Sequence, residues 1–210
     1  MKKRIMMSVF LAASLMASAA VMPAYADAVA GSDQISSQVV RNADNTYYAY
    51  IQVPVNVIPV YRFYSTYMRD YFYTVNEEEK NSLEENYRRG TQTYEYQGIS
   101  GFVEAAPADL GTPVYRFWNE KTGDHFYTTD QAEKEAVEAD FAAGRDDYKY
   151  EGIAWYEPSM AGTAVYRFFD VKAFNHYYTG DAQIREKLIQ EYQAGKGNYR
   201  YEGIAWYWFQ

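Results

Sequence analysis

Apolar and polar positions alternate through three stretches that are copies of one another: Val60–Val75 (VYRFYSTYMRDYFYTV), Val114–Thr129 (VYRFWNEKTGDHFYTT) and Val165–Gly180 (VYRFFDVKAFNHYYTG). Matching positions stand 54 residues apart from the first copy to the second and 51 from the second to the third. In the middle copy Val114–Trp118 is β-branched and aromatic and reads as a strand. Asn119–Asp124 reads as a hairpin loop, with Gly123 free to take a positive φ. His125–Thr128 reads as the returning strand. A helix is expected next. Asp130 is a good N-cap, and Glu133 stands at capping-box spacing. Asn76 and Glu79 repeat the device, whereas Asp181 is followed by Ile184. The predicted buried stripe is Val137 and Phe141, matched by Leu83 and Tyr87 and by Leu188 and Tyr192. Gly144, Gly90 and Gly195 stand where a glycine ends a helix. The tail Tyr148–Tyr156 (YKYEGIAWY) alternates as a third strand, and its Gly152, like Gly98 and Gly203, suggests a bulge or a close backbone contact.

Each unit is therefore ββαβ, and the repeats span residues 58–107, 112–158 and 163–210. The turn-rich segments Pro107–Pro113 and Pro158–Thr163 link them. A unit of about 50 residues cannot bury both faces of a hairpin and a helix by itself, but several units can share one core. The expected fold is a β-rich α+β protein of three repeats in a pseudo-threefold closed arrangement, trefoil-like or pinwheel-like, with a linear stack as the alternative. Ahead of the repeats, Tyr47–Val57 reads as an extra strand that covers an open edge or pairs with the last strand. Pro54 marks it as an edge or a bulge. One domain is expected over residues 47–210, preceded by a flexible leader over residues 27–46. Residues 1–26 have the pattern of a secretory signal: Lys2, Lys3 and Arg4, then a short apolar run, then Ala24-Tyr25-Ala26 as a cleavage site.

Composition narrows the function. The formal charge of −8 becomes −11 once residues 1–26, with three positive and no negative charges, are set aside. An acidic surface argues against nucleic acid and anionic lipid as partners. With no cysteine, the chain has neither disulfides nor thiolate sites. The expected location is secreted, extracellular or at a cell surface, without membrane insertion. The 24 tyrosines suit a small repeated core or a binding surface, because the ring packs while the hydroxyl stays wet.

Three repeat positions put polar residues on strands. Arg62, Arg116 and Arg167 recur in the first strand. His125 and His176 open the second strand, where repeat one has Tyr71. Glu151 and Glu202 lie in the third, where repeat one has Gln97. Alternation places Arg116 beside Trp118, His125 beside Tyr127, and Glu151 beside Ile153 and Trp155. Two readings stay open. In one, each repeat carries a pocket in which Arg and Glu bind hydroxyls and Trp or Tyr stacks on a sugar face. In the other, Arg–Glu pairs stitch strands together. Arg62 recurs without a carboxylate at position 97, so the arginine has a further reason to be there. Thr74, Thr128 and Thr179 read as turn and cap residues. Asp124, Glu151 and Asp170 could serve glycoside hydrolysis, but nothing in the sequence pairs them, and no nucleophile elbow is present.

The set VYRFWN, GDHFYTT and YEGIAWY in residues 114–156 resembles a secreted bacterial repeat family known only as a domain of unknown function. Its members look like threefold modules often appended to cell-wall hydrolases and other extracellular enzymes. The resemblance covers about residues 58–210. It implies a non-catalytic accessory module for glycan or cell-wall polymer; no cofactor or metal is expected, and the chain is expected to be a monomer. The positions it matches are Arg116, His125, Tyr127, Glu151 and Trp155 in repeat two, and Arg167, His176, Tyr178, Glu202 and Trp206 in repeat three; together with Trp118, which shares a strand face with Arg116, they are the expected ligand-binding residues. Repeat one departs from the pattern, with Tyr71, Gln97 and Ser100-Gly101-Phe102. An extracellular protein partner is the alternative, and a hydrolase the third reading.

Overall fold

The β-branched and aromatic stretches of each repeat form strands. The computed structural model describes residues 57–105, 111–158 and 162–209, together with the strands over 36–41 and 47–52; the expected signal segment lies outside the described residues. Strands β1 (Ser36–Arg41) and β2 (Tyr47–Gln52) pair as an antiparallel hairpin. Tyr47–Gln52 is thus a strand as expected, but its partner is Ser36–Arg41, within the span read as a leader, and not the last strand. The chain divides into two compact units, residues 1–57 and 58–210, and the second holds the repeats.

Repeat one contains β3 (Val57–Ser65), β4 (Asp70–Thr74), helix α1 (Glu77–Arg88) and β5 (Tyr94–Glu104). Repeat two contains β6 (Pro113–Asn119), β7 (Asp124–Thr128), α2 (Gln131–Ala142) and β8 (Tyr148–Tyr156). Repeat three contains β9 (Thr163–Asp170), β10 (Asn175–Thr179), α3 (Ala182–Gln193) and β11 (Tyr199–Trp208). In each, the first strand lies between the other two, giving three similar three-stranded sheets. Among the described residues no helix is long and apolar enough to cross a membrane.

Both faces of each hairpin are buried, one locally and one in common. Under the helices lie separate aromatic clusters. Phe63, Phe72 and Tyr94 pack with Leu83 in repeat one, and Tyr115, Phe117 and Phe126 pack with Val137 in repeat two. On the other face, Val60, Val114 and Val165 meet Tyr73, Tyr127 and Tyr178 and the indoles of Trp155, Trp206 and Trp208 in one core fed by all three repeats. The tyrosines tie the repeats together. Tyr127 Oη accepts from Tyr73 N–H and donates to Tyr73 O, both at 2.9 Å. Tyr178 Oη accepts from Tyr127 N–H at 2.8 Å, and Tyr73 Oη donates to Tyr178 O at 3.4 Å, which brings the sequence of bonds back to its start. Where repeats two and three supply Trp155 and Trp206, repeat one has Gly101. Trp208 lies there instead, so that a Cβ on Gly101 would come within 2.6 Å of its indole. Phe102 and Phe209 exchange both backbone hydrogen bonds at 2.8 Å, holding the end of the chain to repeat one.

The helices depart from expectation in one respect. Their caps form: Asn76, Asp130 and Asp181 each accept two N–H groups of the first turn. Thr74, Thr128 and Thr179 accept from the N–H of the capping residue. The expected stripe narrows, however, because Tyr87, Phe141 and Tyr192 are exposed. Each helix is a 12-residue surface element with no buried residue.

Candidate functional site

The recurring polar residues gather between repeats. Asp70 is fully buried at the start of β4. Its carboxylate takes His125 Nδ1 at 2.6 Å, His125 N–H at 3.1 Å and the Tyr94 hydroxyl at 2.7 Å. Arg116 reaches from β6 to the first turn of α1 and binds Glu79 through both terminal nitrogens at 3.1 Å. Its Nε lies 2.8 Å from Glu151 Oε2, and its guanidinium sits over the Phe72 ring. Such two-pronged arginine–carboxylate pairs are among the stronger polar contacts. Glu151 also faces His125 Nε2 at 4.0 Å.

The same constellation recurs one repeat on. Asp124, also fully buried, takes His176 Nδ1 at 2.6 Å, His176 N–H at 2.7 Å and the Tyr148 hydroxyl at 2.5 Å. Arg167 binds Glu133 of α2 at 2.9 and 2.8 Å and lies over Phe126. Its Nε is 3.1 Å from Glu202 Oε2, within ion-pair range but off the hydrogen-bond direction. His176 Nε2 is 3.5 Å from the same oxygen. Burial by itself would lower the His176 pKa, but Asp124 and Glu202 outweigh it and hold the imidazole above its ordinary value. Burial in the same way pushes the Tyr94 and Tyr148 hydroxyls well up, reinforced by the aspartate that each binds.

A β-bulge aims the glutamates. Arg116 pairs with Gly152 and Phe117 with Tyr150, leaving Glu151 as the extra residue; Glu202 is extra in the same way between Tyr201 and Gly203. Gly152 and Gly203 take φ of 113° and 111°, which a glycine adopts without strain. A second register shift follows in each strand, before Trp155 and before Trp206. These shifts break the single face expected for Glu151, Ile153 and Trp155. Glu151 meets Arg116, Ile153 is 46% exposed, and Trp155 turns into the core.

Of the expected binding residues, the structure brings together Arg116, His125 and Glu151, with half-buried Trp118 against the His125 ring at 4.4 Å, and separately Arg167, His176 and Glu202. Tyr127, Trp155, Tyr178 and Trp206 stand elsewhere. They are core residues between 0% and 3% exposed, drawn inward because the large aromatics fill the space the three sheets share. Nor does a set belong to one repeat, as a pocket per repeat requires, since Asp70 and Glu79 complete the set of repeat two, and Asp124 and Glu133 that of repeat three. Sequence reasoning missed these partners. Glu79 and Glu133 have capping-box spacing, yet they bind the next repeat's arginine while threonine serves the cap. A signal was present: Ile184 and Asn175 in repeat three replace acids that would face Arg62 and Tyr71 of repeat one, which are the copies lacking a Glu and a His.

A cleft of about 180 Å³ opens between repeats one and two, lined by Phe72, Glu79, Leu83, Tyr94, Arg116, His125 and Glu151. Among the described residues no group of three or more acids and histidines is placed to hold a metal ion. The group facing His125 Nε2 is the Glu151 carboxylate, at 4.0 Å. The fold and this site define a three-repeat β-rich protein with polar clusters at its repeat junctions. The chain belongs to a family described as a domain of unknown function (DUF5648), whose model matches twice, over residues 25–141 and 135–210. No curated protein and no solved structure matches the chain.

Proposed function

We propose that the protein is a secreted, non-catalytic binding module for glycan or cell-wall polysaccharide, and that it holds a sugar residue in the cleft between repeats one and two. The observation that carries this reading is the cleft itself, in which the Arg116, Glu79, Glu151 and His125 cluster borders the rings of Phe72 and Tyr94. Carboxylates engaged by arginine keep free lone pairs for vicinal hydroxyls, and the largely buried Phe72 and Tyr94, with Leu83, give the cleft an apolar side. The volume is below the ~300–1,000 Å³ of sites for drug-sized ligands, which favours one sugar ring over a long segment. The equivalent cluster of Arg167, Glu133, Glu202 and His176 supplies a second site, and two weak sites on one polymer gain affinity by avidity.

The test is a pull-down of the chain on insoluble peptidoglycan and a panel of polysaccharides, with Glu151→Gln and Glu202→Gln alongside and folding checked by circular dichroism. Binding that weakens in each folded variant, and more in the double variant, is expected. A protein-interaction role is the second reading, favoured by Ile99, Ile153 and Ile204, which are exposed at one position in all three repeats. Wild-type chain that ignores every polysaccharide overturns the glycan reading and moves the weight to this second one.

A further inference from the structure

The third junction, between repeats three and one, lacks the acids of the other two. Arg116 and Arg167 are each met by two glutamates, Glu79 with Glu151 and Glu133 with Glu202. For Arg62 the corresponding positions hold Ile184 and Gln97, and the buried Asp–His pair becomes Asn175 with Tyr71. Asn175 hydrogen-bonds the Arg69 carbonyl at 2.8 Å, so the two repeats do meet here. Arg62 lies 5.8 Å over the Tyr71 ring and engages the neutral Tyr73 hydroxyl, its Nε is buried without a hydrogen-bond partner, and no carboxylate pairs with it among the described residues. Tyrosine rings crowd this junction: Tyr64 and Tyr71 pack tilted at 4.5 Å, Tyr71 and Tyr177 meet at 5.4 Å, and Tyr177 and Tyr199 at 5.5 Å. The charged side chain beside Tyr199 is Asp170, whose Oδ1 accepts the N–H groups of Lys172 and Ala173 in its own turn.

We propose that this junction recognises a carboxylate-bearing small ligand, with Arg62 as the anchoring cation and the tyrosine rings as its wall. Leaving a guanidinium half-buried without a counter-charge is costly unless something pairs with it. Two junctions of the same molecule solve that problem internally with glutamate, while the third keeps the arginine and omits both acids. A ligand carboxylate supplies what Glu79 and Glu151 supply to Arg116, in the same two-pronged geometry. A pyranose bearing a carboxylate suits the aromatic wall, because its ring can lie against tyrosine while its acid reaches Arg62. The site is separate from the cleft beside Arg116 and from the cluster around Arg167, and it stands or falls independently of them.

The test is an NMR titration of the full chain with sodium glucuronate, with glucose and with acetate, following the Arg62 Nε–H and the Tyr71 amide. Glucuronate is expected to shift both signals saturably, acetate to compete for the same shifts at higher concentration, and glucose to leave them alone. Arg62→Gln is expected to weaken the response about tenfold or more. Ile184→Glu restores the internal carboxylate and is expected to block the response while leaving Glu151 and Glu202 untouched. A glucuronate response that survives both variants, or no response in the wild-type chain, overturns the proposal.

Discussion

Glu202 shows how one side chain is set by what surrounds it. Arg167 Nε, Arg200 Nη2 and His176 Nε2 all lie within 3.5 Å of its oxygens. Burial alone would raise its pKa, but hydrogen bonds from His176 and Arg200 and the charge of Arg167 bring it down to about 2. The folded value is below the ordinary 4.5, so Glu202 stabilises the fold above that pH and loses its contribution as the pH falls towards 2. His176 runs the opposite way. Its pKa is raised, so its contribution is complete below the ordinary 6.5 and is lost as the pH climbs through the folded value. In urea melts, the midpoint gap between wild type and Glu202→Gln is expected to be widest near about pH 5 to 6 and to close towards pH 2. The His176 Cε1–H resonance of the variant is expected to titrate at lower pH than in the wild type. A gap that stays constant from pH 6 to 2 contradicts the ion-pair account.

At the scale of elements, the third strands of repeats two and three depend on their bulges. Gly98, Gly152 and Gly203 all have positive φ, and a Cβ at any of them would meet open space. Alanine is therefore penalised by backbone conformation alone, about 1–2 kcal/mol. Relaxing that strain displaces the residue before the glycine. Glu202 and Glu151 lose an arginine when they move, whereas Gln97, a neutral side chain, binds no arginine among the described residues. Denaturant melts are expected to show Gly203→Ala and Gly152→Ala as more destabilising than Gly98→Ala. Equal costs at all three positions would mean that the bulge does not hold the glutamates in place. The existence of these strands, the caps of the helices and the place of the bulge were legible from β-branched and glycine positions. The face each residue takes beyond the bulge was not, because an extra residue inverts a period-two pattern and a sequence shows no register.

At the scale of the molecule, the repeats depend on one another through Tyr73, Tyr127 and Tyr178. Tyr127→Phe leaves both the N–H and the carbonyl of Tyr73 without their 2.9 Å partner in a buried place, a cost of about 2–4 kcal/mol. Tyr73→Phe removes a long bond, 3.4 Å to Tyr178 O, and the hydroxyl's contact with Arg62, and is expected to cost about 1 kcal/mol. Urea denaturation followed by tryptophan fluorescence, which reports on the shared core, is expected to give one cooperative transition for both variants, in that order of stability. The reverse order would show that the tyrosine hydroxyls do not tie the repeats together.

The repeat, its ββαβ order and the polar positions Arg116, His125 and Glu151 follow from the sequence by itself, because local periodicity, caps and glycines are written in adjacent residues. Tertiary structure alone decided which residues those positions meet. Asp70 and Glu79 stand 55 and 37 residues before the His125 and Arg116 that they bind. Trp155 and Trp206 read from the sequence as ligand-binding platforms, and only the approach of three sheets to one another makes them core. Contacts between repeats depend on how whole sheets pack, and packing geometry cannot be read from neighbours along a chain.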